Sequence, residues 1–264
     1  MPNEPPIVTA DRLSLSVSAI LLSVAGASWV ATYYLGGTGP TGTGTVGVAS
    51  MVSSLLPASV ALFELIWVVG MVAMMFPAMV PIVVFYNRMV AEDEPDPRLA
   101  KTVGTSLFLL GYVGVYAALG ALAYLAVYVA LWLAGTSAAS ASLVYLGPSL
   151  VLILAGAYQL SPMKLTALTH CVSPLTFFTV HLRRGLSGSL RMGITHGFYC
   201  VSCCWTFMLV MLAVGAMSLP YMAALAGVIG LEKVVVRGAA WFERAVAVGF
   251  IGAGGLILLL PMLG

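Results

Sequence analysis

The stretch FELIWVVGMVAMMFPAMVPIVVFYNRM, residues 63–89, is apolar almost throughout between Glu64 and Arg88. A helix needs about 20 residues to cross the hydrocarbon core of a bilayer. This run is long enough, and it reads as a membrane span. The rest of the chain agrees: of its 264 residues 61% are hydrophobic and 8% charged, with a mean hydropathy of +1.06, far outside the range of soluble domains. Seven such runs, near 15–36, 60–86, 104–133, 143–160, 193–216, 219–236 and 245–262, predict an all-α polytopic bundle. The sixth is the weakest, because its uninterrupted apolar part, LPYMAALAGVIGL, runs straight into Glu232 and Lys233. A re-entrant hairpin is the alternative there.

The formal net charge of +2 is too small and too scattered for nucleic-acid binding. Its distribution sets the orientation. Arg12 precedes the first run; Arg88, Arg98 and Lys101 follow the second; Lys164, Arg183, Arg184 and Arg191 follow the fourth; Lys233, Arg237 and Arg244 follow the sixth. All eleven fall on one side of a seven-span arrangement, which the positive-inside rule makes cytoplasmic. The amino terminus is expected inside, the carboxyl terminus outside, and the protein in the cell membrane among lipid. The first run is longer than a signal-peptide core and lacks its flanks, so it reads as a retained helix. GGTGPTGTGTVGVAS reads as a flexible outer loop and AEDEPDPRLAK as a solvated inner turn. Neither a repeat nor a second domain is evident, and residues 1–264 form one membrane domain.

Three of the four cysteines lie in HGFYCVSCCW, residues 196–205. On a helix, Cys200, Cys203 and Cys204 at i, i+3 and i+4, with His196 at i−4, share one face. Three thiols and an imidazole on one face suit a soft metal ion. They fall in the cytoplasmic half of the span, where thiols stay reduced, so a structural disulfide is not expected. Met211 lies on the same stripe, with Met208 at its edge. Small buried side chains at helix contacts are the plainer account of such cysteines. The fourth, Cys171, follows His170 in SPMKLTALTHCVSPLTFF, a stretch placed at the interface beneath the bundle, from which Cys171 or His170 can reach the cluster. His181 reads as an ordinary interfacial residue.

In the second run Glu64, Met71 and Met75 fall at i, i+7 and i+11 within a narrow arc, flanked by Trp67 and Met74. Thioethers favour Cu(I), and a carboxylate inside a span is functional by default. Against this stand a snorkelling carboxylate for Glu64 and plain packing for the methionines. Glu64 at the outer mouth, the methionines at mid-membrane and the thiols near the cytoplasm form a graded route for a soft ion, provided the two helices touch. Glu232 and Lys233 read as an opposite-charge pair at a helix end, with Glu232 facing the cavity of the cysteines as the alternative.

The blocks WVVGMVAMMFPAMVP, GAYQLSPMKLTALTHCVSPLTFF and GITHGFYCVSCCWTFMLVMLAVGAMSLPYMAALAGVIGLEK resemble those of the predicted metal-binding integral membrane proteins of bacteria and archaea. The likeness covers roughly 60–240 and implies a metal-binding core there, with Cys171, Cys200, Cys203, Cys204 and the methionines of the second run matching its pattern. At Ala167 the chain departs from it, since the family pattern carries a cysteine four residues before Cys171.

The first functional reading is a membrane protein that binds a soft transition metal, copper ahead of zinc, to transport it, store it or deliver it to another membrane protein. The candidate ligands are Cys200, Cys203, Cys204 and His196, with Cys171, His170, Met71, Met75 and Glu64 in support. The chain carries neither an ordered Ser/His/Asp set nor a carboxylate pair for hydrolysis. The alternatives are a thiol oxidoreductase cycling Cys200 and Cys203 against a membrane quinone, and an accessory subunit of a larger membrane complex.

Overall fold

A computed structural model describes residues 12–35, 52, 55–89, 97–136, 140–215, 219–237 and 239–263. Among these residues all regular structure is helical: α1 (Arg12–Leu35), α2 (Pro57–Met89), α3 (Pro97–Thr136), α4 (Ser140–Gln159), α5 (Pro162–Val172), α6 (Pro174–His181), α7 (Gly185–Gly215), α8 (Leu219–Gly230) and α9 (Ala240–Leu263), with a π-helical turn at Leu231–Val235. The Gly/Thr-rich loop at 36–50 and the acidic part of the turn at 91–96 lie outside the described residues.

Five of the seven apolar runs form single helices long and apolar enough to cross a membrane, namely α1, α2, α3, α7 and α9. The fourth run reaches that length only as a bent pair, α4 with α5, which meet at 69°. The sequence at the joint explains the bend. The Ser161 side chain accepts from the amides of Met163 at 3.1 Å and Lys164 at 3.4 Å, and Pro162 takes the first helical position, so a new helix starts there instead of the old one continuing. The stretch from Ser161 is thus two short helices, and Lys164, Ala167, Leu168 and Cys171 of α5 are buried inside the bundle instead of lying beneath it. The sixth run gives an α-helix of 12 residues. Its rise of about 18 Å falls short of a hydrocarbon core of about 30 Å, and it passes into the π-turn where Glu232 and Lys233 enter the interior.

Helix α7 is the hub, packed against α3, α4, α5 and α8, while α2 packs on α1 and α3 and α4 on α9. The apolar windows of α2 and α7 are 50% and 56% buried, against 17% for α1 and α9. The cysteine-bearing and methionine-bearing helices are therefore the inner ones. Glycines set the spacing of the central pair. A Cβ on Gly111 would stand 2.5 Å from the Leu190 carbonyl oxygen, and one on Gly193 would run into the Phe108 carbonyl. With only hydrogens there, the α3 and α7 backbones come close enough for side chains on both to meet around one centre.

Gly193→Ala should therefore destabilise the protein by about 1–3 kcal/mol, the usual cost of overpacking. Gly114→Ala, on α3 where an added Cβ meets nothing within 4 Å, should be neutral or slightly stabilising. Thermal unfolding of both variants in detergent checks the contrast.

Candidate metal centre

On α7, Cys200, Cys203, Cys204 and His196 share one face as their spacing requires, and each is 2% exposed or less. The Cys203 and Cys204 thiols donate back to the Cys200 carbonyl at 3.1 and 2.7 Å, the bonding usual for a short polar side chain inside a helix. From α5, Cys171 comes in against them. The sulfurs of Cys171, Cys200 and Cys203 lie within 4.8 Å of one another, and all three residues are buried. The four cysteines are free thiols.

Two neighbouring elements aim polar groups at these sulfurs. From α3, the Tyr112 hydroxyl is 3.2 Å from the Cys200 sulfur and the Tyr116 hydroxyl 3.9 Å from that of Cys204. From the π-turn, the Lys233 ammonium donates to the Cys200 sulfur at 2.8 Å. Lys233 is 5% exposed and the preceding Glu232 1%. The two residues do not serve each other as a helix-end pair: the Glu232 carboxylate turns to Lys164 of α5, at 3.0 Å. Lys164, fully buried, also donates to Glu243 of α9 and to Gln159, and its ammonium lies over the Phe207 ring, 5.2 Å from the centroid. Lys164 and Lys233 are thus interior groups and cannot be counted among the loop charges that orient the helices.

This ionic cluster positions the thiol centre. An isolated ion in an apolar interior carries a desolvation cost of several kcal/mol. Glu232 must therefore meet Lys164, which fixes the wider π-turn and carries Lys233 onto Cys200. A π-turn inside a helix is uncommon and tends to mark a functional position.

The other candidates fall around this centre. The His196 ring stacks against Phe108 and Tyr112 with Phe177 at its edge, and its Nδ1 is buried without a hydrogen-bond partner among the described residues. His170, although next to Cys171, points elsewhere, against Tyr199 and His181. Met71 and Met75 are buried at 2% and 1%. Met71 borders the same small void as Tyr112 and Tyr116, so the two tyrosines of α3 stand between the methionine helix and the cysteines. Glu64 lies two turns from Met71, beside Trp67 and Gly120, with both carboxylate oxygens buried and without a hydrogen-bond partner among the described residues. Ala167, where the family resemblance expects a cysteine, is buried at 6%.

Sequence reasoning missed Lys164, Glu243 and Lys233 as interior groups, and Tyr112 and Tyr116 as partners of the thiols. The signals were present: an acidic–basic pair inside GVIGLEKVVV, and two tyrosines at i, i+4 in an apolar run.

Residues 64–257, the greater part of the chain, match the model of a family described as PpoB2, copper chaperone. The matched region takes in the thiol centre and the ionic cluster. No curated protein and no solved structure matches the chain.

Lys164→Met should destabilise the protein by about 3–5 kcal/mol, since it strands two buried carboxylates. The triple variant Lys164→Met/Glu232→Gln/Glu243→Gln should regain much of that loss. Denaturation in detergent, followed by tryptophan fluorescence, measures both.

Proposed function

The chain belongs to the copper chaperone family, and from that premise we propose that it is a membrane-embedded protein that takes up one Cu(I) on Cys171, Cys200 and Cys203 and hands it on to another protein. The observation that carries this reading is the buried group of three sulfurs within 4.8 Å of one another. With a metal–sulfur bond near 2.3 Å, a trigonal set has its sulfurs about 4 Å apart. Only a small inward movement is required. Thiolate and thioether ligands select Cu(I), and a group of three sulfurs suits it better than zinc, whose structural sites are four-coordinate.

The surroundings answer the charge problem of such a site. Three thiolates around Cu(I) carry a net charge of −2, and the Lys233 ammonium at the Cys200 sulfur reduces it to −1 inside an apolar bundle. Loading displaces the thiol protons. Cys204, held between the Cys200 carbonyl and Tyr116, is the spare thiol for ligand exchange as the ion enters or leaves. His196, on the same face, has an Nδ1 without a hydrogen-bond partner among the described residues. Met71, on the far side of Tyr112 and Tyr116, extends the soft-ligand path along α2 toward Glu64, with Met75 one turn from it in the opposite direction. Thiol exchange with a quinone uses two sulfurs and has no role for the third or for the ammonium, so the copper reading accounts for more of the centre.

Membrane insertion is supported by the outward faces of the long helices, where Leu110, Leu122, Trp132, Leu154, Val248 and Leu256 are exposed. The basic residues other than Lys164 and Lys233 still favour a cytoplasmic amino terminus, which places the thiol centre toward the reducing side.

Protein purified in detergent under reducing conditions and loaded with Cu(I) should retain close to one copper per chain by elemental analysis. Serine at Cys171, Cys200 or Cys203 should abolish retention, and Lys233→Met should weaken it about 10–100-fold, as loss of a partner to a metal ligand usually does. Wild-type protein that stays copper-free after loading would overturn the reading.

A further inference from the structure

Beside the thiol centre lies a second cluster that the copper site itself does not use. Its members His170 and Tyr199 immediately precede Cys171 and Cys200 in the chain, and His181 closes α6. The Tyr199 ring stacks on His170 with centroids 4.7 Å apart. Its hydroxyl stands 3.2 Å from Nε2 of His181. The two imidazole centroids are 6.1 Å apart with the rings at 62°, and Nδ1 of His170 is buried without a hydrogen-bond partner among the described residues. The Phe177 ring packs against both His181 and His196, with centroids 5.2 and 5.0 Å apart, so one aromatic ring links the cluster to the thiol face.

We infer that His170 and His181 form a second, shallower Cu(I) site at the edge of the thiol centre, through which the ion passes between the three cysteines and the protein surface. The inference rests on the copper-handling reading above. Three features support it. With a metal–imidazole bond near 2 Å, two imidazoles in linear coordination have centroids about 6 Å apart, close to the separation observed. Metal-ligating histidines hold their second ring nitrogen in a hydrogen bond to an outer partner; the Tyr199 hydroxyl is such a partner at Nε2 of His181, 3.2 Å away, which leaves Nδ1 as the ligand atom. Two neutral imidazoles bind Cu(I) without adding charge and less tightly than three thiolates, so the pair can accept the ion or release it without trapping it.

The test is anaerobic titration of the reduced full chain in detergent with Cu(I), read by copper K-edge X-ray absorption. The first equivalent should show sulfur ligands only, and the second should add imidazole scattering. His170→Gln and His181→Gln should each lose the second equivalent and keep the first, which also reports that the variant is folded. His181→Gln, in the short helix α6, stands alone if the other variant fails to fold. A second equivalent bound by sulfur, absent from wild type, or retained in both variants overturns the inference. A first equivalent without sulfur ligands overturns the copper reading of the thiols, while imidazole scattering that the variants lose still upholds the histidine pair.

Discussion

The Lys164 ammonium has no exposed surface and is surrounded by apolar helices, so its charge must be met inside the bundle. Glu232 and Glu243 meet it, one from the π-turn after α8 and the other from the first turn of α9, and Gln159 of α4 adds a neutral acceptor. Four elements are thereby tied to one cation. Without that tie, the chain after α8 could continue as an ordinary helix, and Lys233 would not be led to Cys200. Buried ion clusters seldom add net stability compared with apolar packing. Here the cluster acts as a locating device, and the energetic cost of leaving any member unpaired enforces the geometry.

The thiol centre is built by the same logic of adjacent residues serving different partners. Glu232 faces the ionic cluster while Lys233 faces the sulfurs; Cys171 faces the sulfurs while His170 faces Tyr199 and His181. One short helix and one π-turn thus connect three polar clusters across a largely apolar interior. The close α3–α7 approach permitted by Gly111 and Gly193 adds the tyrosine hydroxyls. The buried sulfurs thus have a local supply of positive charge and hydrogen bonds from Lys233, Tyr112 and Tyr116, which the surrounding apolar side chains do not offer.

The helical class and the shared face of His196, Cys200, Cys203 and Cys204 were legible in the sequence, because helical periodicity is a property of one segment. The 12-residue length of α8 was only partly legible: LPYMAALAGVIGL is visibly short, but where its charges go depends on α5 and α9. Lys164 looked like a loop charge because it follows an apolar run, and its burial follows from the Ser161–Pro162 break, which folds α5 back against α7. Glu232 and Lys233 looked like partners because they are neighbours, although consecutive positions on a helix point in different directions.

The sequence by itself determined that the chain is helical and apolar and that its thiols share one face, since these follow from composition and from 3.6 residues per turn. Only the tertiary structure decided that Cys171 completes the sulfur group, that Lys233 faces Cys200, and that Tyr112 and Tyr116 lie between Met71 and the cysteines. Those are relations between segments distant in the chain. They are fixed by glycine-mediated close packing and by the pairing of Lys164 with Glu232 and Glu243 inside the bundle.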